Sequence, residues 1–307
     1  LRARPRATRS PMLEAVQGNP GMDLGDFDLG RFVMDVLLED LGRSGDVTSR
    51  ATIPPAAQLR ATLRSRDALV VAGLAIAAAF FARLDPDVAI TLLVADGDAV
   101  EPGTELMRVG GNALGLLAAE RSALNTLQHL CGIATTTRTY ADAITGTGCI
   151  LLDTRKTLPG LRSLEKYAVR AGGGANHRMR LDDGLLIKDN HIAIAGGIAM
   201  AVAAAKAANT GLQVQVEVDE LDQIEPALAA GADRLLCDNM TPDLLRRAVA
   251  LVGGRVPIEA SGGVRLDTIR AIAETGVDFV SVGRMTQSAP AADIGLDYLP
   301  AGDVVAG

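Results

Sequence analysis

The stretch VQVEVDELDQIEPALAAGADRLLCDNMTPDLLRRAVALVGGRVPIEASGG, residues 214–263, decides the fold. It alternates strand and helix. VQVEV (Val214–Val218), RLLCD (Arg234–Asp238) and VPIEA (256–260) are short, apolar on consecutive positions and bounded by turn residues. Strands buried on both faces of a parallel sheet have that character. Helices over about 220–231 and 241–252 separate them. The rhythm continues outward: CILLD (149–153), LLIK (185–188) and a helix over 191–208 come before, and a helix over 265–275 and DFVSVG (278–283) come after. Six such units in roughly 140 residues fit a parallel barrel with fewer than eight strands, and an open doubly wound sheet is the competitor. Polar residues favour the barrel. Asp153, Lys188, Glu217, Asp238, Glu259 with Ser261, and Gly283 each lie at the C-terminal end of an expected strand. That end is the rim on which parallel barrels build their sites.

Before residue 148 the pattern is different. RFVMDVLLEDLG (31–42) has apolar residues at 33, 34, 37, 38 and 41, which predicts a helix. LRATLRSR (59–66) alternates like a half-exposed strand, and Gly73 opens an apolar helix to about Leu84. ITLLVADGDAV (90–100) reads as a strand and turn, and TELMRVGG (104–111) as a strand closed by glycines. Two long helices broken near Gly132 are expected over 112–146. Strands and helices without strict alternation imply an α+β layer. The basic, Pro-containing start, residues 1–25, is expected to be a disordered tail. The remainder divides into 26–130 and 131–288.

The formal net charge is −7, which argues against a general nucleic-acid binder and makes a local basic cluster informative. Cys131, Cys149 and Cys237 form no CxxC pair, so buried thiols in a reducing cytoplasm are expected, without disulfide or zinc. The longest apolar run, 68–82, falls short of the ~20 residues of a membrane span.

The scarce cationic chemistry gathers in DTRKTLPGLRSLEKYAVRAGGGANHRMRLDDGLLIKDNH, 153–191. The chain has 30 Lys plus Arg, of which only Lys156, Lys166, Lys188 and Lys206 are Lys. Three of those four fall here, so a compact ammonium is wanted where a planar guanidinium would not fit. Arg155, Lys156, His177, Arg178 and Lys188 together imply a bound small polyanion. Arg can grip a carboxylate through two parallel hydrogen bonds, and Lys offers a point charge to phosphate. Lys166 and Arg170 belong to an amphipathic helix and are expected on its exposed face. His191 is expected to cap the helix that follows it. SGG (261–263) and SVG (281–283) follow the last two strands, where such barrels cradle phosphate on backbone N–H groups. Glu217 and Asp238 lie in apolar strands. Each is either salt-bridged to a neighbouring Lys, or holds ribose hydroxyls and Mg²⁺, or stabilises positive charge on a sugar.

Larger blocks sharpen this reading. AERSALNTLQHLCGIAT, DTRKTLPGLRSLEKYAVRAGGGANHR, LIKDNHI, VEV, CDNM and EASGGV together resemble the quinolinate phosphoribosyltransferase family, also called nicotinate-nucleotide pyrophosphorylase (carboxylating). The resemblance runs from Glu39 to Leu299. It implies a decarboxylating glycosyl transfer of de novo NAD synthesis: quinolinate and phosphoribosyl pyrophosphate become nicotinate mononucleotide, pyrophosphate and CO2. It also implies an N-terminal α+β sandwich, rejoined by the tail 289–307, and an incomplete parallel α/β barrel of about six strands. A homodimer would share each site between subunits. By motif position Arg155, His177, Arg178 and Lys188 would bind quinolinate, with Arg121 reaching in from the partner. Lys156, Glu217, Asp238, Ser261, Gly262 and Gly283 would serve phosphoribosyl pyrophosphate, with Mg²⁺ near Glu217 and Asp238. Catalytic roles would fall to Lys156, Lys188, Glu217 and Asp238. Neither nucleic acid nor membrane is an expected partner. Cys131, Leu158, Cys237 and Gln287 depart from residues common in the family, and the first three read as packing changes.

Two other readings stay open at this stage. A molybdenum-associated homologue of the same fold would use another acceptor. A sugar-phosphate aldolase would use Lys188 as a Schiff base.

Overall fold

The computed structural model describes residues 23–298. Most of the expected disordered tail, and the end of the returning C-terminal segment, lie outside these residues. The chain forms two compact units, one made of the residues up to Thr135 with those from Pro290 onward, the other Thr136–Ala289.

In the first unit, helix Leu29–Leu41 buries Leu29, Val33 and Leu37, one residue per turn, and Asp28 caps it by accepting the Arg31 N–H at 2.9 Å. Strands β1 (Gln58–Ser65), β2 (Leu69–Val70), β3 (Ala89–Leu92), β4 (Ala99–Val100) and β5 (Glu105–Asn112) follow, with helix Leu74–Leu84 after β2. That helix is apolar all round and buried from Leu74 to Ala82. It starts at Gly73 (φ 94°), where any Cβ would stand 2.7 Å from the Leu130 side chain. Asp96 accepts the N–H groups of Gly73 and Leu74 and so closes the helix start. An antiparallel sheet of order β12-β1-β5-β3 completes the unit, because Ile294–Tyr298 (β12, last among the described residues) pairs with β1.

Residues 113–143 form one helix rather than two. Gly132 does not break it. A Cβ there would lie 2.0 Å from the Pro290 carbonyl oxygen, so glycine serves a close approach of the returning chain.

The second unit contains β6 (Ile150–Leu152), β7 (Leu185–Ile187), β8 (Val214–Val218), β9 (Arg234–Asp238), β10 (Ile258–Ser261) and β11 (Phe279–Ser281), all parallel. Their order is β6-β11-β10-β9-β8-β7. From β7 to β11 each strand neighbours its successor, and β6 closes onto β11, so the winding never reverses. That is a barrel with one seam, between β6 and β7; a doubly wound sheet would reverse in its middle. Ala175 occupies the free edge of β6, donating to Leu151 O at 2.8 Å and accepting from Asp153 N–H at 3.1 Å. Three residues on, Arg178 donates to Gly184 O, just ahead of β7. The glycine-rich loop therefore bridges the seam.

The helix expected over 191–208 is two, Asp189–Ala195 and Ile198–Ala207, turned 90° at Gly196–Gly197. Both glycines have positive φ (88° and 134°), which ends a helix at no steric cost. None of the described helices is by itself long and apolar enough to cross a membrane. All three cysteines are free, and burial pushes each thiol up to about 12.

Candidate active site

An open cavity of about 380 Å³ sits at the C-terminal ends of the barrel strands. The pleat explains its lining. Side chains at every second strand position share a face, so Gln215 and Glu217 on β8, Arg234, Leu236 and Asp238 on β9, and Glu259 and Ser261 on β10 all face the interior. Glu217, Asp238, Glu259 and Ser261 line the cavity. Arg155 and Lys156 enter from the loop after β6, His177 and Arg178 from the seam loop, and Lys188 from the end of β7. Nine residues singled out in the sequence thus meet in one cavity.

The cations are unevenly neutralised. Lys188 Nζ is hydrogen-bonded and ion-paired to Glu217 Oε2. Arg155 Nε is buried without a hydrogen-bond partner. Among the described residues no ion pair joins Arg155 or Arg178 to a carboxylate. Burial, and then the neighbouring Arg155, push Arg178 below its ordinary value, with the charge of Asp183 opposing them. Two guanidinium groups sharing a half-buried wall favour any ligand that brings negative charge.

Behind the wall lies a polar network. His177 Nδ1 accepts the Arg178 backbone N–H at 2.7 Å. Its Nε2 lies 3.1 Å from Gln215 Oε1 and 3.4 Å from Glu259 Oε2, which assigns the ring proton to Nε2. Both ring nitrogens are therefore engaged within the protein. Glu259 is fully buried and also receives Gln215 Nε2 at 2.8 Å and Arg234 Nη2 at 2.7 Å. Burial raises the Glu259 carboxyl, but the hydrogen bond from His177 and the charge of Arg234 outweigh it and hold it below the usual value. Arg234 in turn stacks over Phe279 at 3.8 Å.

Several sequence expectations need correction or completion. Lys166, expected on an exposed helix face, is fully buried and ion-paired to Asp153 at 2.5 Å. Helix Arg162–Ala171 is buried at every position from Leu164 to Val169, so it has no exposed face there, and the loop turns carbonyls toward Lys166. Leu158 is 44 % exposed, so no packing change explains it. Gly262 and Gly283 are not cavity-lining side chains. A Cβ on Gly262 (φ 87°) would strike Asn239 Oδ1 at 2.2 Å, and one on Gly283 would stand 2.9 Å from Lys156 Cδ. Arg121 is exposed on helix Ala113–Ala143, in the first unit. His191 Nδ1 accepts the Lys188 N–H at 2.9 Å and closes the first turn of its helix. Gln215, Arg234 and the role of Glu259 were missed; their period-two spacing with Glu217, Asp238 and Ser261 was the available signal.

The sequence profile of "Quinolinate phosphoribosyl transferase, C-terminal domain" matches residues 133–297, and that of the N-terminal domain matches 46–131. The chain belongs to the quinolinate phosphoribosyl transferase family. It is 42% identical over 289 residues to the chloroplastic nicotinate-nucleotide pyrophosphorylase [carboxylating] of Arabidopsis thaliana, covering 88% of this chain and 82% of that protein. It is 40% identical over 275 residues to the probable nicotinate-nucleotide pyrophosphorylase [carboxylating] of Bacillus subtilis (strain 168), covering 89% and 94%. Among solved structures, the nicotinate-nucleotide pyrophosphorylase of Francisella tularensis superposes with a TM-score of 0.86 at 38% identity, covering 91% of this chain and 99% of that one. A family of transferases acting on an anionic aromatic acid suits the unpaired guanidinium wall. The Schiff-base reading of Lys188 has no such support, since that lysine stands in an ion pair.

Proposed function

We propose that this chain joins quinolinate to phosphoribosyl pyrophosphate, releasing pyrophosphate and CO2 and leaving nicotinate mononucleotide. The observation that carries the reading is a single cavity walled by Arg155 and Arg178 on one side and by strand-end Glu217, Asp238 and Ser261 on the other. Two planar guanidinium groups suit the vicinal carboxylates of a diacid. His177 steadies Arg178 through its backbone N–H, and Lys188 brings a further positive charge. Lys156 supplies a mobile point charge to the pyrophosphate, with Ser261, Gly262 and Gly283 forming the phosphate end.

Among the described residues no group of three or more His, Cys, Asp or Glu could hold a metal ion. Two carboxylates in one cavity nevertheless suit Mg²⁺, which is commonly bound through one or two carboxylates plus substrate phosphates. Glu217 and Asp238 would hold it, and its charge would offset that of the departing pyrophosphate. The ring nitrogen of quinolinate attacks the sugar C1 as the C1–O bond to pyrophosphate breaks. Glu217 and Asp238 stabilise the positive charge that develops on the sugar. Holding both reactants in line contributes up to ~7–11 kcal/mol. The quaternised nitrogen then stabilises the carbanion left as the adjacent carboxylate departs as CO2, and a proton replaces it.

The proposed assembly is a homodimer in which Arg121 of one subunit completes the diacid site of the other. The proposed compartment is the cytoplasm, in keeping with three free thiols. The net charge of −7 supports small-molecule substrates over nucleic acid. The deciding experiment supplies quinolinate, phosphoribosyl pyrophosphate and Mg²⁺ and measures both products. Equal release of CO2 and pyrophosphate is expected, and nicotinate is not expected to replace quinolinate. Pyrophosphate release without CO2, or preference for another acceptor, would overturn the assignment.

A further inference from the structure

We propose that Lys166, outside the cavity, is a positioning residue for the diacid: a buried ammonium that sets where His177 and Arg178 enter the site. The proposal rests on the reading of the cavity as a quinolinate site. Lys166 is fully buried and does not line the cavity. Its Nζ donates to Asp153 Oδ1 at 2.5 Å, His177 O at 2.8 Å and Arg178 O at 3.1 Å. Three acceptors match the three N–H bonds of an ammonium. Asp153 completes the grip by accepting the His177 N–H at 2.8 Å and Asn176 Nδ2 at 2.6 Å. The segment 176–178 is thus fixed by donors and acceptors on both sides of its backbone.

The same helix also holds the loop that follows β6. Arg162, one turn earlier, donates to Thr157 Oγ1 at 3.1 Å and to Met179 O at 3.0 Å. Glu165 accepts the Leu158 N–H through both oxygens, at 3.4 Å and 3.3 Å. Helix Arg162–Ala171 therefore ties the loop carrying Arg155 and Lys156 to the segment carrying His177 and Arg178. The spacing of the two guanidinium groups, which a vicinal diacid must match, is set by this helix.

A buried ion pair is a poor way to stabilise a helix contact, since an apolar pair of similar volume does as well or better. What an apolar pair cannot do is direct two carbonyls. Burial pushes the Asp153 carboxyl up and the Lys166 ammonium down, while their mutual hydrogen bond and charge oppose both. The hydrogen-bond count favours the ionised pair.

The double variant Lys166→Met with Asp153→Leu removes both charges together, so neither is left buried and unpaired. Calorimetric titration of the folded variant with quinolinate, and separately with phosphoribosyl pyrophosphate and Mg²⁺, separates positioning from general support. The expected result is quinolinate binding weakened ~10-fold or more, the worth of a displaced charged hydrogen bond, with phosphoribosyl pyrophosphate binding changed less than ~3-fold. Unchanged quinolinate affinity, or equal weakening of both ligands, overturns the proposal. If the double variant does not fold, Asn176→Ala decides on the same readout. Wild-type protein that binds no quinolinate would sink the functional reading itself, and is measured first.

Discussion

In the proposed site Arg178 would carry one end of the diacid contact, and no ion pair to a carboxylate neutralises it among the described residues. Arg178→Ala is expected to weaken quinolinate binding by about 1.5–3 kcal/mol, the worth of a charged hydrogen bond. Phosphoribosyl pyrophosphate binding should change little, and titration calorimetry with each substrate checks both. Glu259 lines the cavity and acts through its buried partners. Its carboxyl is held below the ordinary value of 4.5 by His177 and Arg234 despite burial. A depressed carboxyl contributes stability that is complete above the unfolded pKa and is lost as pH falls through the folded one. Wild type should therefore be more stable than Glu259→Gln at neutral pH, and the gap should close as the pH falls below the ordinary carboxylate range. Thermal melts across that range test it; a constant gap would show that Glu259 acts without its charge. Neither role was legible residue by residue. A lone Glu in an apolar strand does not announce its partners, which lie 25 and 44 positions away in sequence.

At the scale of elements, periodicity was a reliable guide wherever the signal was local. The six barrel strands lie within a residue or two of their expected bounds, because consecutive apolar residues and flanking turns are properties of the segment itself. Gly132 shows the limit. Helix propensity alone disfavours glycine by ~1 kcal/mol relative to Ala, so Gly132→Ala should stabilise an isolated helix. Here the Pro290 carbonyl lies where the methyl would go, and the variant is expected to lose ~1–3 kcal/mol by overpacking. Urea unfolding of the two proteins gives the sign directly. Lys166 was misread for a related reason. Its place on a helical wheel says nothing of the Asp153 carboxylate and the two loop carbonyls that make its burial tolerable.

At the scale of the molecule, ligand linkage offers the broadest check. A substrate that binds only the folded state adds about 2.7 kcal/mol of stability at 100 times its Kd. Quinolinate should raise the melting temperature with or without a chelator. Phosphoribosyl pyrophosphate should do so with Mg²⁺ and lose most of that effect in EDTA, because its pyrophosphate supplies most of the metal's ligands. An EDTA-insensitive shift would remove Mg²⁺ from the binding step. The proposed dimer is tested by mixing. Arg121→Ala and Arg178→Ala chains, each impaired alone, should regain activity when co-assembled, since one site in a mixed dimer keeps both arginines. No recovery in demonstrably mixed dimers would confine the site to one subunit.

By itself the sequence determined the strand–helix rhythm, the clustering of cations in residues 153–191 and the polar strand ends, because these depend on neighbours in the chain. Only the tertiary structure decided that β6 and β7 stay apart, that the glycine-rich loop bridges their seam, and that Gly132 passes through an unbroken helix. It alone set Lys166 behind the site and tied Glu259 to His177, Gln215 and Arg234. Those outcomes rest on contacts between segments far apart in sequence, where packing and hydrogen-bond satisfaction override local preference.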